Sequence, residues 1–459
     1  MAWSWVFNGF RLASGLILLP LLVQLPKEEQ GMYHVFLRLI ALVPIIDFGF
    51  SVTLNRYVSY AMGGAAELKA QGVSPVEKHL SPNVSLLWRL LFTYRRLYRS
   101  LTLGAFALLG IWGTYNVSLN VHETPNPSYT WAAWIVTLFA ASFDMYFGWW
   151  NGFLRGMDRV LLSARIAVLG SGLYILLASG LLLSGWGLLS IPVASLISNS
   201  LQRFLSRRNC LKILGEPPAP PKTPEPSLMP VLWPNSWRVG LQLLSCYLGA
   251  SVPALIFYKL YGSAAFAEYG LSIQIMSICT GMACVWTTVK WPLVGQYRAK
   301  HDYENMRRLL RPRIWLQTTT FFVLAILAIA AAPYFLKWLQ AKNDVLPVFW
   351  FVLLAINAFL EMQFSFWTTL LSTENRIPSL WPTVATNLFA LMLFGVLVYS
   401  IENGIAALIL APLIAGSLFN YWYWPRAGSK NIQSRWSHFI FSGSAEPAGK
   451  QLIKKIDTI

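Results

Sequence analysis

Apolar runs of about twenty residues, recurring from residue 3 to residue 424, constrain this chain more than any other feature. A run of that length is what an α-helix needs to cross the hydrocarbon of a bilayer. Twelve spans are expected, near 3–25, 31–60, 98–117, 129–154, 160–184, 187–206, 237–260, 265–289, 315–336, 346–371, 378–399 and 403–424. In lipid each backbone N–H and C=O must be satisfied inside its own segment or a closed barrel, and the short alternating segments of a barrel are missing. The expected fold class is therefore all-α, a polytopic membrane protein. Composition agrees, since 56% of the 459 residues are hydrophobic and only 12% are charged.

A net charge of +17 would point to nucleic acid in a water-soluble chain, but here its placement reports topology. With the N-terminus inside, 29 of the 36 Lys and Arg fall at cytoplasmic ends, loops and tail. Four (Lys27, Lys259, Lys337, Lys342) lie at or near the outer side, and three (Arg11, Arg38, Arg56) lie within spans. By the positive-inside rule both termini are expected in the cytoplasm. Arg11 interrupts the first apolar run and no small-residue cleavage site follows, so that run reads as a span rather than a signal peptide. The 21 tryptophans and 19 tyrosines suit interfacial belts. Four cysteines without pairing or metal spacing read as free thiols.

The proline-rich segment 208–235 is polar, cannot form a span and separates six spans from six. It divides an N-terminal six-helix lobe (1–207) from a C-terminal one (236–424), and a basic tail follows (425–459). Six spans return the chain to its starting side, so the 12 transmembrane helices should form two six-helix lobes related by a pseudo-two-fold axis along the membrane normal. Internal echoes support duplication. The stretch 144–159, DMYFGWWNGFLRGMDR, aligns without a gap on 361–376, EMQFSFWTTLLSTENR. Asn8-Gly9-Phe10-Arg11 opens the first span as Asn235-Ser236-Trp237-Arg238 opens the seventh, and basic extensions (61–97, 290–314) precede the third span of each half.

Ionisable groups inside spans are the site candidates, because a charge there must pair, hydrate or change protonation. Asp144, Gly148, Asn151 and Arg155 share one helical face, as do Glu361, Ser365, Thr368 and Ser372. A structural hydrogen bond or salt bridge between helices competes with a pathway role for both acids. Arg11, one turn from Asn8, and Arg38 are candidate anion contacts. Asp47 lies nine residues beyond Arg38, on the opposite face of an ideal helix, unless Pro44 bends the chain between them. The chain has no nucleotide-phosphate loop, no metal-binding His/Cys cluster and no catalytic triad, so no catalytic residue is expected.

Residues 31–64, the fourth-span ending NGFLRGMDR (151–159), the basic third-span extension and the six-plus-six layout resemble the multidrug/oligosaccharidyl-lipid/polysaccharide (MOP) flippase superfamily. Within it, the chain looks most like the O-antigen and exopolysaccharide flippases of the Wzx-like polysaccharide biosynthesis proteins. That resemblance implies a non-enzymatic transporter of the bacterial inner membrane, with two lobes around a cavity open alternately to each side. Its implied cargo is an oligosaccharide on a polyprenyl pyrophosphate, moved outward, with other polysaccharide-assembly proteins as partners. No cofactor is expected beyond coupling to H⁺ or Na⁺. On this reading Asn8, Arg11, Arg38, Asp47, Asp144, Asn151, Glu361 and Thr368 border the cavity, while Trp149, Trp150 and Trp367 offer surfaces for sugar rings. A cation-coupled exporter of small cationic compounds is the alternative, and would weight the acids over the arginines.

Overall fold

The computed structural model describes residues 17–65, 67–68, 82–217, 227–299, 302–373, 378–401 and 403–441. Helices account for nearly all of them, and no strand occurs among the described residues. In chain order, the first half contains α1 (Lys27–Ile40), α2 (Val43–Ile46), α3 (Phe50–Met62), α4 (Val84–Leu108), α5 (Thr114–Asn120), α6 (Pro127–Gly156), α7 (Val160–Leu183) and α8 (Ser190–Leu214). The second half contains α9 (Met229–Thr288), α10 (Trp291–Ala299), α11 (Tyr303–Trp338), α12 (Val348–Ser372), α13 (Leu380–Ser400), α14 (Gly404–Leu418), α15 (Asn420–Asn431) and α16 (Trp436–Phe441). Seven stretches among the described residues are long and apolar enough to cross a bilayer. The longest, Ser236–Thr288, covers the seventh and eighth expected spans, and Gly262 (φ 83°) breaks it between them.

The second span departs most from a plain helix. It is expected as one run over 31–60 but forms α1, α2 and α3 in succession. Pro44 sits in the first turn of α2, where its missing N–H deprives the helix of nothing. The chain turns instead at Phe48 and Gly49, both left-handed (φ 49° and 72°). Asp47 bridges the break: its carboxylate accepts from the Ser51 backbone N–H at 3.2 Å and the Ser51 hydroxyl at 2.8 Å, so it caps α3 across the turn. The described part of each basic extension is helical from Val84 and from Trp291 onward. Asn83 caps the start of α4, which carries Arg95, Arg96 and Arg99, by accepting from the Leu86 N–H at 3.0 Å. A single π-helical turn, Leu109–Gly113, then joins α4 to α5.

The chain forms two compact units: Met1–Gly270 with Leu336–Asp344, and Leu271–Phe335 with Val345–Ile459. The first part of the second sequence half therefore belongs to the first unit. That unit is built on an apolar core in which α3, α4, α6, α8 and the start of α9 meet, including Tyr57, Tyr94, Phe153 and Leu232. The second unit has its own core, where α10, α11, α12, α15 and α16 bury Val294, Leu310, Phe366, Trp424 and Phe439. Arg298 ties this core together. It donates to the Leu370 carbonyl at 3.2 Å, the Thr373 hydroxyl at 3.0 Å and Asn431 Oδ1 at 2.5 Å.

Candidate functional site

The polar stripe of α6 turns toward α7 and α8. Asp144 Oδ1 accepts from Arg203 Nη2 at 2.7 Å and from Arg203 Nε at 2.8 Å, a charge-assisted pair from the fourth span to the sixth. Gly148, one turn along, leaves room for that guanidinium: a Cβ there would lie 4.0 Å from Arg203 Nη2. Further along, the Ser163 hydroxyl of α7 donates to Asn151 Oδ1 at 2.5 Å and accepts from Arg155 Nε at 3.1 Å. Each polar member of the stripe is thus bound to a neighbouring helix, and this seam carries two guanidiniums against one carboxylate.

The second stripe has the same spacing and a different environment. Glu361 on α12 accepts from the Tyr421 hydroxyl at 2.8 Å, and that hydroxyl lies 3.0 Å from Asn357 Oδ1. No cation among the described residues lies within ion-pair distance of Glu361. One phenolic proton can serve only one of two acceptors, so the set is complete only with a proton on Glu361 or with the Asn357 amide reversed. Thr368 donates back to the Phe364 carbonyl of its own helix at 2.9 Å, and Ser365 is exposed. The two acids are separated from their partners by 59 and 60 residues. Both partners belong to the last span of their half, so the duplicated position has a duplicated contact with changed chemistry: guanidinium in one half, phenol in the other.

Asp47 is held by Ser51 and by the Tyr98 hydroxyl, which donates to Oδ1. The structure does not join it to Arg38. Arg38, in the last turn of α1, is partly buried within electrostatic reach of His34, Tyr247 and Tyr269, and no carboxylate among the described residues pairs with it. Asn8 and Arg11 lie outside the described residues. Trp149 and Trp150 pack in the core of the first unit and Trp367 in that of the second, each at most 5% exposed, which leaves no ring face open to a sugar.

No protein-family model and no curated protein matches the chain. Solved structures do. A multidrug resistance MATE family transporter of the MOP superfamily, in an inward-facing conformation, aligns with TM-score 0.65 at 14% identity over 93% of this chain and 94% of that one. The fold is that of the MATE transporters. The MATE multidrug transporter DinF-BH aligns with TM-score 0.61 at 13% identity, covering 91% and 90% of the two chains. A MOP superfamily transporter from Pyrococcus furiosus, described as having a binding pocket of reversed polarity, aligns with TM-score 0.57 at 15% identity, covering 94% and 93%. The all-α, multi-pass architecture expected from the sequence is thus the observed one.

Within this MATE fold the residues that sequence reasoning missed are Arg203, Ser163, Tyr421 and Asn357. Arg203 counts by position as one more cation near the end of the sixth span, and Tyr421 as one more interfacial aromatic. The signal that reaches them is the duplication: once 144–159 is laid on 361–376, the sixth and twelfth spans become the places to look for partners.

Proposed function

We propose that this protein is a transporter working by alternating access, and that its cargo is a lipid-linked oligosaccharide carried on a polyprenyl pyrophosphate and moved to the outer leaflet. The observation that carries this reading is the charge balance of the embedded groups. Asp144 is neutralised by Arg203 and Asp47 is engaged by Ser51 and Tyr98, whereas Arg38 has no carboxylate partner among the described residues. An embedded guanidinium without a counter-ion is stabilised by an anionic ligand, and its paired donors match phosphate oxygens. Arg11, in the first span, is the expected second contact. The setting on this reading is a bacterial inner membrane, with both termini cytoplasmic.

Glu361 supplies the coupling. A carboxyl with a phenol partner and no cation gains or loses a proton at little structural cost, so a proton taken up at Glu361 is the proposed driving ion. The pair Asp144–Arg203, already balanced, has no such freedom. A second reading, export of small cationic compounds, is favoured by the multidrug transporters among the structural neighbours. The Pyrococcus furiosus neighbour, with its reversed pocket polarity, supports the view that this fold does not itself fix the sign of the cargo.

Deletion of the gene in its native host, complemented by the wild type or by Arg38→Glu, decides between them. The expected result is loss of surface polysaccharide restored by the wild type only, with Arg38→Glu present in the membrane and drug sensitivity unchanged throughout. Normal polysaccharide with Arg38→Glu removes the anion site. A deletion strain with intact polysaccharide and raised drug sensitivity replaces the flippase with the exporter.

A further inference from the structure

The sequence Arg155-Gly156-Met157-Asp158-Arg159 forms the turn from α6 into α7, and the proposed function assigns nothing to its final residues. Gly156 lets α6 approach α3, since a Cβ there would lie 2.6 Å from Val58 Cβ and 2.7 Å from the Asn55 carbonyl oxygen. Met157 is buried in the core and Asp158 takes a left-handed conformation (φ 60°), so the chain reverses sharply and leaves Asp158 and Arg159 exposed. Opposite them stands the last turn of α8. Between the two lies an open groove of 320 Å³, lined by Asp158, Arg159, Arg165, Lys212, Leu162 and Ile213 among others.

Arg159, Arg165 and Lys212 line this groove together with the carboxylate of Asp158, and its setting is specific. Leu169 and Leu176 lie one and three turns along α7 from Arg165 on the same face, and both are strongly exposed, at 62% and 73%. On α8, Leu201 lies three turns from Lys212 on the same face and is also exposed. A cationic groove at the end of two spans thus continues into exposed apolar positions that suit hydrocarbon chains.

We propose that this groove binds the headgroup of an anionic, glycerol-headed phospholipid from the leaflet at that end of the bundle. Phosphate oxygens are held by Arg159, Arg165 and Lys212, as basic pockets between membrane helices hold acidic headgroups. A headgroup hydroxyl donates to Asp158, which distinguishes a glycerol head from a bare phosphate. The acyl chains run along the Leu169–Leu176 and Leu201 tracks. This site is independent of the cargo, and its loss leaves the Arg38 assignment standing.

Native mass spectrometry of the full-length protein, purified in mild detergent, reads the retained lipid, and thermal unfolding with added phosphatidylglycerol reads its effect. The wild type is expected to retain anionic phospholipid and to unfold at a higher temperature with phosphatidylglycerol than with phosphatidylcholine. Arg159→Gln/Arg165→Gln/Lys212→Gln should lose at least tenfold of the retained lipid and the whole stabilisation, while Arg95→Gln/Arg96→Gln/Arg99→Gln, on exposed positions of α4, keeps both. Should the triple variant fail to fold, Lys212→Gln, on an exposed last turn, is expected to lose about threefold of the lipid. Unchanged retention in the groove variants overturns the proposal, as does equal stabilisation by phosphatidylcholine. Stoichiometric displacement of the lipid by polyprenyl pyrophosphate also overturns it, since the groove would then serve cargo.

Discussion

Removing the Arg203 guanidinium leaves the Asp144 carboxylate without its two charge-assisted donors in a segment that offers little water. Arg203→Ala is expected to destabilise the protein by about 2 kcal/mol, the size of a hydrogen bond to a charged group. The double variant Asp144→Asn/Arg203→Gln should recover most of that loss, because the penalty comes from an unpaired charge and not from a missing contact. Thermal unfolding of the four proteins of this cycle in detergent gives the coupling, and additive losses would show the pair to be energetically idle. At the duplicated position the same logic gives a different outcome. Glu361→Gln keeps the volume and the Tyr421 contact, so the protein should fold as the wild type does. In proteoliposomes its transport should no longer respond to an imposed pH gradient, and a response equal to the wild type's would remove Glu361 from coupling. Both acids were legible in the sequence because a carboxyl inside an apolar run is conspicuous. Their partners were not, since nothing local in a chain marks which residue some 60 positions away shares a helix interface.

The broken second span shows the same limit for a whole element. Its apolar run is visible in the sequence, and so is Pro44, but the break falls at Phe48 and Gly49, for reasons that lie elsewhere in the chain. Tyr94 donates to the Phe50 carbonyl at 3.1 Å and Tyr57 to the Val231 carbonyl at 3.1 Å, while Thr53 and Ser236 share a hydrogen bond of 3.2 Å. These contacts fix α3 to α4 and to the start of α9, and the turn must accommodate them. Gly49 meets two demands at once: a left-handed backbone, and a Cβ-free approach to Val239, whose Cβ would lie 2.7 Å from an added methyl. Gly49→Ala is expected to cost about 1–2 kcal/mol for the backbone alone, with the Val239 clash in addition. Gly104→Ala, within α4 with nothing in contact, is the control and should be neutral or mildly stabilising. Equal unfolding midpoints for the two variants would show that the break relaxes freely.

At the scale of the whole molecule, the helices were readable from hydropathy, because each is a property of contiguous residues. The compact units were not, because their composition depends on contacts between distant segments. The first unit holds the end of the bundle expected outside, where Glu123 accepts from the Ser263 N–H at 3.0 Å and the Ser263 hydroxyl at 2.5 Å. Beside it, Asn343 donates to Gln30 at 3.1 Å, and the Lys342 N–H donates to the Val23 carbonyl at 2.9 Å. Glu123 thereby caps the helix that restarts after Gly262 and fastens the first sequence half to the second. On the proposed function, a cycle that opens this end breaks these bonds each time cargo leaves. A disulfide in place of the Glu123–Ser263 bond should therefore stop transport while leaving the protein folded. In a Cys246→Ser background, which removes the one exposed native thiol, Glu123→Cys/Ser263→Cys is expected to lose at least tenfold of its transport rate on mild oxidation and to regain it on reduction. Either single-cysteine variant should be insensitive to both treatments. Undiminished transport by a fully cross-linked protein would mean that this end stays shut throughout the cycle, and release would have to occur by another route.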